Sequence, residues 1–288
     1  MNLRTSVWSA YYRTLSPERA IDTFLASGFC HTELAFEHGR DLLDRAEGIL
    51  NGPEKVGAAL REYCDDHGFS IPQGHLIFPL DLHAPDTVPM LKRWLDLYNA
   101  IGIRAAVLHA ACDTTLEESV QQESRVKALV ELTEHLKGTD LSICLENLGS
   151  CSALYTADNL NALIDAVGDD THLGICLDTG HLHRVNVQEL DIESQKEFIH
   201  KAGHRLRALH IQNNGGRLDD HLMPFTMRGG IDWKEVMTAL RDIGYQGLFN
   251  LEIPGESGSA VPMQIREAKL GYLRKVCDFM LSDEFLNT

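Results

Sequence analysis

The chain reads as α/β, folded as a single (β/α)8 TIM barrel over residues 1–288. Three observations predict this. Short apolar runs alternate with helix-like segments along the whole length, and strict alternation implies a parallel sheet. Eight such units in 288 residues give about 36 residues each, comfortable for this barrel. Four of the runs end in a residue able to bind a metal: Leu141–Leu145 before Glu146, Leu173–Leu177 before Asp178, Leu206–Leu209 before His210, and Leu248–Leu251 before Glu252. Parallel neighbours would bring those residues together at one mouth, where the chemistry of such barrels gathers. An open doubly wound sheet is the competing arrangement.

The elements follow in order. Leu3–Val7 is the first strand. The helix Ser16–Ser27 opens on Ser16-Pro17-Glu18, a capping serine with proline in the first turn. Thr32–Ala35 is the second strand. The helix Lys55–His67 follows the Asn51-Gly52-Pro53 break and stops at Gly68. Ser70–Gln73 is followed by Asp86–Ile101, which ends at Gly102, and Ala105–His109 by Leu116–Lys137, which ends at Gly138. The second half repeats the rhythm. Its strands are Leu141–Glu146, Leu173–Asp178, Leu206–Ile211 and Leu248–Glu252. Its helices are Ala157–Val167, Glu189–Lys201, Asp232–Ile243 and Pro262–Leu281. There is no linker, no low-complexity stretch, and neither GxGxxG nor GxxxxGK[ST].

Apolar residues make up 44% of the chain, enough for a large core, and the net charge is −16. That charge disfavours a nucleic-acid partner. Seven scattered cysteines, an odd number without CxxC spacing, read as reduced core thiols of a cytoplasmic protein. No signal peptide is apparent, and no apolar run reaches the roughly 20 residues of a membrane span. A homo-oligomer stays open.

Glu146, Asp178, His210 and Glu252 form the central metal hypothesis. Three carboxylates share a dry pocket only if a cation or protons offset their repulsion. An oxygen-rich set with one imidazole suits one divalent ion, Mn2+, Mg2+, Co2+ or Zn2+. His181, three residues after Asp178, is a second ligand or a hydrogen-bond partner for a substrate oxygen. Arg217, Asp219 and His221 follow a Gly-Gly turn and look like a binding loop, in which Arg217 can clamp a substrate oxygen or anion. Asp219 and His221 are candidates for an additional metal site or for support of the first. His75 and His109, at the ends of the third and fourth strands, are candidates for substrate contact. Glu33 and Trp8 are weaker candidates for lining, and His183 reads as surface. Arg228-Gly-Gly230, before a helix N-terminus, could hold a phosphate.

Cys144-Leu-Glu-Asn147, Cys176-Leu-Asp-Thr-Gly-His181, Leu209-His-Ile-Gln-Asn213, Asp219-Asp-His221, Gly230-Ile-Asp-Trp233, Gly244-Tyr-Gln-Gly247 and Leu251-Glu252 carry a resemblance. With them the chain resembles the sugar phosphate isomerase/epimerase-like proteins of the xylose isomerase-like TIM-barrel superfamily. The motifs span roughly residues 140 to 255. For its ketose 3-epimerases, the resemblance implies one divalent metal on Glu146, Asp178, His210 and Glu252. It implies that both glutamates move protons on opposite sugar faces, and that His181 and Arg217 contact substrate oxygens. The superfamily also holds endonuclease IV-like enzymes with three zinc ions. Their ligand set has counterparts at His75, His109, Glu146, Asp178, His181, His210, Asp219, His221 and Glu252. Leu209-His-Ile-Gln-Asn-Asn and Met227-Arg-Gly-Gly-Ile-Asp-Trp read like the sugar branch instead.

The expected activity is therefore metal-dependent isomerisation or epimerisation of a sugar, sugar phosphate or keto-polyol. One glutamate removes the proton beside a carbonyl, the metal stabilises the enediolate, and the proton returns from the other face or to the adjacent carbon. An abasic-site endonuclease, a dehydratase or lyase on an inosose-like polyol, and a non-catalytic binding barrel are the rivals.

Overall fold

In a computed structural model of the chain, residues 1–149, 153–189, 192–226, 230–256 and 261–287 are described. Arg228 of the expected phosphate segment lies outside them, as does Cys151.

The strands are β1 (Arg4–Val7), β2 (His31–Leu34), β3 (Ser70–His75), β4 (Ala105–Leu108), β5 (Ser142–Glu146), β6 (Leu173–Asp178), β7 (Leu206–His210) and β8 (Leu248–Leu251). All ladders are parallel. One arc runs β2 through β7 in sequence order, and β1 pairs with β8. The arcs meet at an Ile211–Leu251 bridge, fixed by Ile211 N–H to Asn250 O and Glu252 N–H to Ile211 O. On the other side the Thr32 hydroxyl donates to Val7 O at 2.6 Å. The eight strands are thus arranged in cyclic order, as the alternation predicts.

The helices are α1 (Pro17–Ala26), α2 (Phe36–Arg45), α3 (Gly52–Asp66), α4 (Thr87–Ile101), α5 (Glu118–Leu136), α6 (Ala157–Val167), α7 (Thr179–Glu189), α8 (Gln195–Ala202), α9 (Trp233–Asp242), α10 (Met263–Met280) and α11 (Asp283–Asn287). Local chemistry sets many boundaries. Ser16 caps α1 with Pro17 at its first position, and Thr156 caps α6. Ser194 and Glu197 close a capping box on α8. The helix expected over 189–201 is α8, which starts later, at Gln195, with Ser194 as its cap. Three helices were not anticipated: α2, whose Glu37-His-Gly-Arg40 stretch is polar, α7, which begins directly after the last residue of β6, and the short α11.

Two cores result. The large one fills the space between sheet and helices and contains Phe24, Leu91, Leu129, Leu163, Phe198 and Leu240. The small one is Ala105, Val107, Cys144, Cys176 and Ala208. With a period of two along a strand, Cys144 lies one step beneath Glu146, Cys176 beneath Asp178, and Ala208 beneath His210. This small-residue layer inside the barrel is the floor of the site. The six described cysteines are free; all but Cys30, which is exposed, are buried. Among the described residues no helix is long and apolar enough to cross a membrane.

Candidate metal centre at the C-terminal mouth

The in-register ladders set the site. Asp178 is paired with His210 across β6 and β7, and Glu146 with Cys176 across β5 and β6. Asp178 and His210 are thus direct cross-strand neighbours, while Glu146 sits beside Cys176, two residues before Asp178.

Glu146 is the hub. Its Oε2 lies 2.9 Å from His109 Nε2 and 3.4 Å from His75 Nε2. Its Oε1 lies 3.2 Å from His210 Nδ1 and 3.3 Å from His181 Nδ1. Burial opposes ionisation, but His210 and His109 outweigh it, and the carboxyl is held well below the ordinary range. His75 donates Nδ1–H to the Leu76 carbonyl at 2.7 Å, which leaves Nε2 facing Glu146.

Asp178 is fully buried. Its Oδ1 accepts the backbone N–H of His181 at 2.7 Å, so it caps α7 and fixes that histidine. Asn147 locks the same turn: its Oδ1 accepts Asp178 N–H at 2.7 Å, its Nδ2 donates to Asp178 O at 3.0 Å, and its carbonyl accepts His181 Nδ1–H at 3.0 Å. Gln212 Nε2 lies 3.3 Å from both Asp178 oxygens and 3.2 Å from Asp219 Oδ1. A Cβ on Gly180 would run into that Gln212 amide.

Glu252 follows β8, and its Oε2 is 3.5 Å from His210 Nδ1 and 3.6 Å from His221 Nδ1. This oxygen is buried without a hydrogen-bond donor among the described residues. Burial raises the carboxyl, Asp178 and Glu146 add to it, and despite His210 and His221 it is pushed up to about 8. For His210 and His181 burial disfavours the charge, but the surrounding acidic groups prevail and both rise well above the usual histidine value.

Asp219 bridges His181 Nε2 and His221 Nε2, each at 3.3 Å. His221 takes a left-handed backbone, φ 47°, with Nδ1–H donated to Glu252 O at 2.9 Å and its ring stacked on Trp8 at 5.8 Å. On the opposite side Phe78 packs on His75 and His109 at 5.2 and 4.8 Å. Two aromatic walls thus flank the imidazoles.

The expected Glu146, Asp178, His210, Glu252, His181, His109, His75, Asp219 and His221 are brought together. Arg217 is not: it is exposed, and its side chain makes no contact with the cluster among the described residues. Glu33 does not line a substrate space; it lies fully buried beneath His210. His183 is half-buried rather than at the surface, since a Cβ on Gly230 would come within 2.5 Å of its ring. Asn147 and Gln212 were not anticipated. Gln212 continues the inward period of two from His210, which was a usable signal.

Donor atoms form three overlapping groups, each within 4.8 Å: His75, His109 and Glu146; Glu146, Asp178 and His181; Asp178, His210 and Glu252. A divalent cation fits the third group. It would give the unpartnered Glu252 oxygen a partner and relieve the repulsion that drives that carboxyl up.

Carboxylates and imidazoles converging at the C-terminal mouth of a parallel barrel define the class: a TIM barrel with a candidate metal centre. The chain belongs to the xylose isomerase-like TIM barrel family, whose model matches residues 24–276. It is 24% identical over 277 residues to a D-psicose 3-epimerase of Enterocloster bolteae, covering 91% of this chain and 83% of that protein. It is 28% identical over 179 residues to an uncharacterized protein of Sinorhizobium fredii, covering 60% of this chain and 55% of that one. The chain thus spans little more than half the length of that relative. The fold is that of a D-psicose 3-epimerase from Clostridium cellulolyticum H10 solved with D-tagatose: TM-score 0.77 and 16% identity, over 97% of this chain and 100% of that one.

Proposed function

We propose that this protein is a divalent-metal-dependent isomerase or epimerase of a sugar, sugar phosphate or keto-polyol. One observation carries the reading. Glu146 and Glu252 arrive from β5 and β8, on different sides of the barrel, and both approach His210 Nδ1, at 3.2 and 3.5 Å. Two carboxylates across one pocket can serve two faces of a substrate carbon. The epimerase names of the relative and of the structural neighbour support it.

Asp178, His210, Glu146 and Glu252 would hold the ion, taken here as one Mn2+, Mg2+, Co2+ or Zn2+. When bound, it supplies positive charge that offsets the negative charge developing when a proton leaves a carbon beside a carbonyl. The chain's own groups do the rest. One glutamate takes the proton from carbon, and the other returns one from the opposite face for epimerisation. Return to the neighbouring carbon gives aldose–ketose isomerisation. His181, held by Asn147 and Asp178, donates toward a substrate oxygen, and His75 and His109 do so from the far side. Trp8 and Phe78 stack on the carbon faces of the sugar and exclude water. Arg217, from its exposed loop, is assigned to the outer end of the substrate. The test is proton exchange. Incubation with ketoses and keto-polyols in deuterated water should place deuterium at one carbon beside the carbonyl. No exchange into any of them by the metal-loaded protein would sink the reading. A dehydrated product would move the chain to the dehydratase class with the same first step.

A second reading has its own observation, the three overlapping donor groups together with Asp219 and His221. Such a set suits three zinc ions and cleavage of abasic DNA. Near three zinc per chain plus nicking of an abasic duplex would favour it. One ion per chain and no nicking would leave the sugar reading alone.

A further inference from the structure

His210 has two ring nitrogens with different neighbours. Nδ1 faces Glu146 and Glu252, while Nε2 lies 2.9 Å from Glu33 Oε2. A neutral imidazole that gives one nitrogen to a cation must keep its proton on the other, and that proton needs an acceptor. Glu33 is the group placed to accept it. The same Oε2 receives Asn250 Nδ2–H at 3.1 Å and the side-chain amide of Gln73. Asn250 is itself oriented by the Ser6 hydroxyl, which donates to its Oδ1 at 2.7 Å. Side chains from β3, β7 and β8, the last held by β1, therefore converge on one β2 carboxylate, which is 0% exposed.

Packing does not explain a glutamate here. Its other oxygen, Oε1, is buried without a hydrogen-bond donor among the described residues. An unsatisfied buried acceptor is costly, and an apolar side chain would avoid that cost. Removing a buried carboxylate from water is also unfavourable unless a specific partner repays it. Besides the Asn250 and Gln73 amides, its partner is the far nitrogen of the histidine at the centre of the site, the one group there that can carry a positive charge.

We propose that Glu33 is a positioning residue that locks His210 with Nδ1 toward the Glu146 and Glu252 carboxylates and Nε2–H toward itself. This rests on the metal-site reading above. Carboxylate anchors of this kind fix the ring and raise its basicity as a ligand. Glu33 does not touch substrate, so its loss acts first on ion binding.

The experiment compares wild type, Glu33→Gln and Glu33→Ala, each stripped of metal and titrated with Co2+, with affinity and the visible cobalt spectrum as readouts. Expected is a roughly 10- to 100-fold weaker affinity in the variants, larger for Ala than for Gln, with a changed spectrum. Wild-type uptake with equal affinity and an identical spectrum in both variants would overturn the inference alone. No Co2+ uptake by wild type overturns the metal-site reading, and this inference with it. A second measurement needs no Glu33 variant. Ring-15N histidine spectra of Zn2+-loaded wild type, with His210 assigned by its absence in His210→Gln, report which nitrogen is coordinated. Nδ1 coordination with the proton on Nε2 supports the anchor, and Nε2 coordination refutes it.

Discussion

At the scale of single residues, chemistry and scaffold are interleaved closely enough that isosteric changes separate them. Glu146→Gln and Glu252→Gln keep shape and most packing but remove a proton acceptor. Each should reduce turnover by roughly 10²–10⁴-fold while circular dichroism stays that of wild type. Activity retained in either variant would remove the two-base scheme. Trp8→Ala should raise KM about threefold to tenfold with a smaller change in kcat, the magnitude of one lost stacking contact; equal KM values would show that the indole lines no bound substrate. The strand-end carboxylates and His210 were legible because each closes an apolar run, a one-dimensional pattern. Asn147, Gln212 and the true place of Glu33 were not. Their roles depend on cross-strand neighbours 31 to 217 residues away, such as Asp178 for Asn147 and Asn250 for Glu33. Arg217 shows the converse: a residue type suited to binding, placed by the fold on an exposed loop.

At the scale of elements, the strands were readable because a strand buried on both faces is a continuous apolar run, whatever surrounds it. The second and seventh helices were not readable. Phe36–Arg45 buries only His38, Gly39 and Leu42. His38 ties this helix to the loop after β1. Its Nδ1 accepts the Ser9 hydroxyl at 2.8 Å, and its Nε2–H donates to Leu15 O at 3.1 Å. That pattern requires a neutral ring, and burial lowers its pKa. The unfolded chain then binds the proton more readily than the folded one. This contribution is intact above the unfolded value near 6.5 and is lost as pH falls from there through the lower folded value. His38→Gln can keep both hydrogen bonds and does not titrate. The melting temperature of wild type should fall relative to that variant below about pH 6.5 and run parallel above it; parallel curves throughout would contradict the neutral ring. For α9, Asp232 accepts the N–H groups of Lys234 and Glu235 at 3.0 and 3.1 Å. Asp232→Ala should cost about 1 kcal/mol in denaturant unfolding. A change near zero would show that the tertiary packing of Trp233 and Val236 sets this helix start.

At the scale of the whole molecule, acidic groups dominate, with a net charge of −16, and several of them are concentrated at one buried centre. A cation that binds the folded chain alone stabilises it by mass action. Chelation should lower the melting temperature, and Mn2+ or Co2+ should restore it in a saturable manner. Glu252→Gln should shrink that gain, and a melting temperature indifferent to chelator and to added ions would argue against any metal centre. The ring of strands closes late in the sequence: β1 is completed only by β8, and Ser6 meets Asn250 across 244 residues. During synthesis, the first candidate ligands therefore emerge long before the last. A nascent chain ending before residue 250 holds His75, His109, Glu146, Asp178 and His210 but lacks Glu252 and the Asn250 amide beside Glu33. On the metal reading proposed above, the full donor set exists only once β8 has paired with β1, so an ion would be chosen by the closed barrel rather than by its first seven strands.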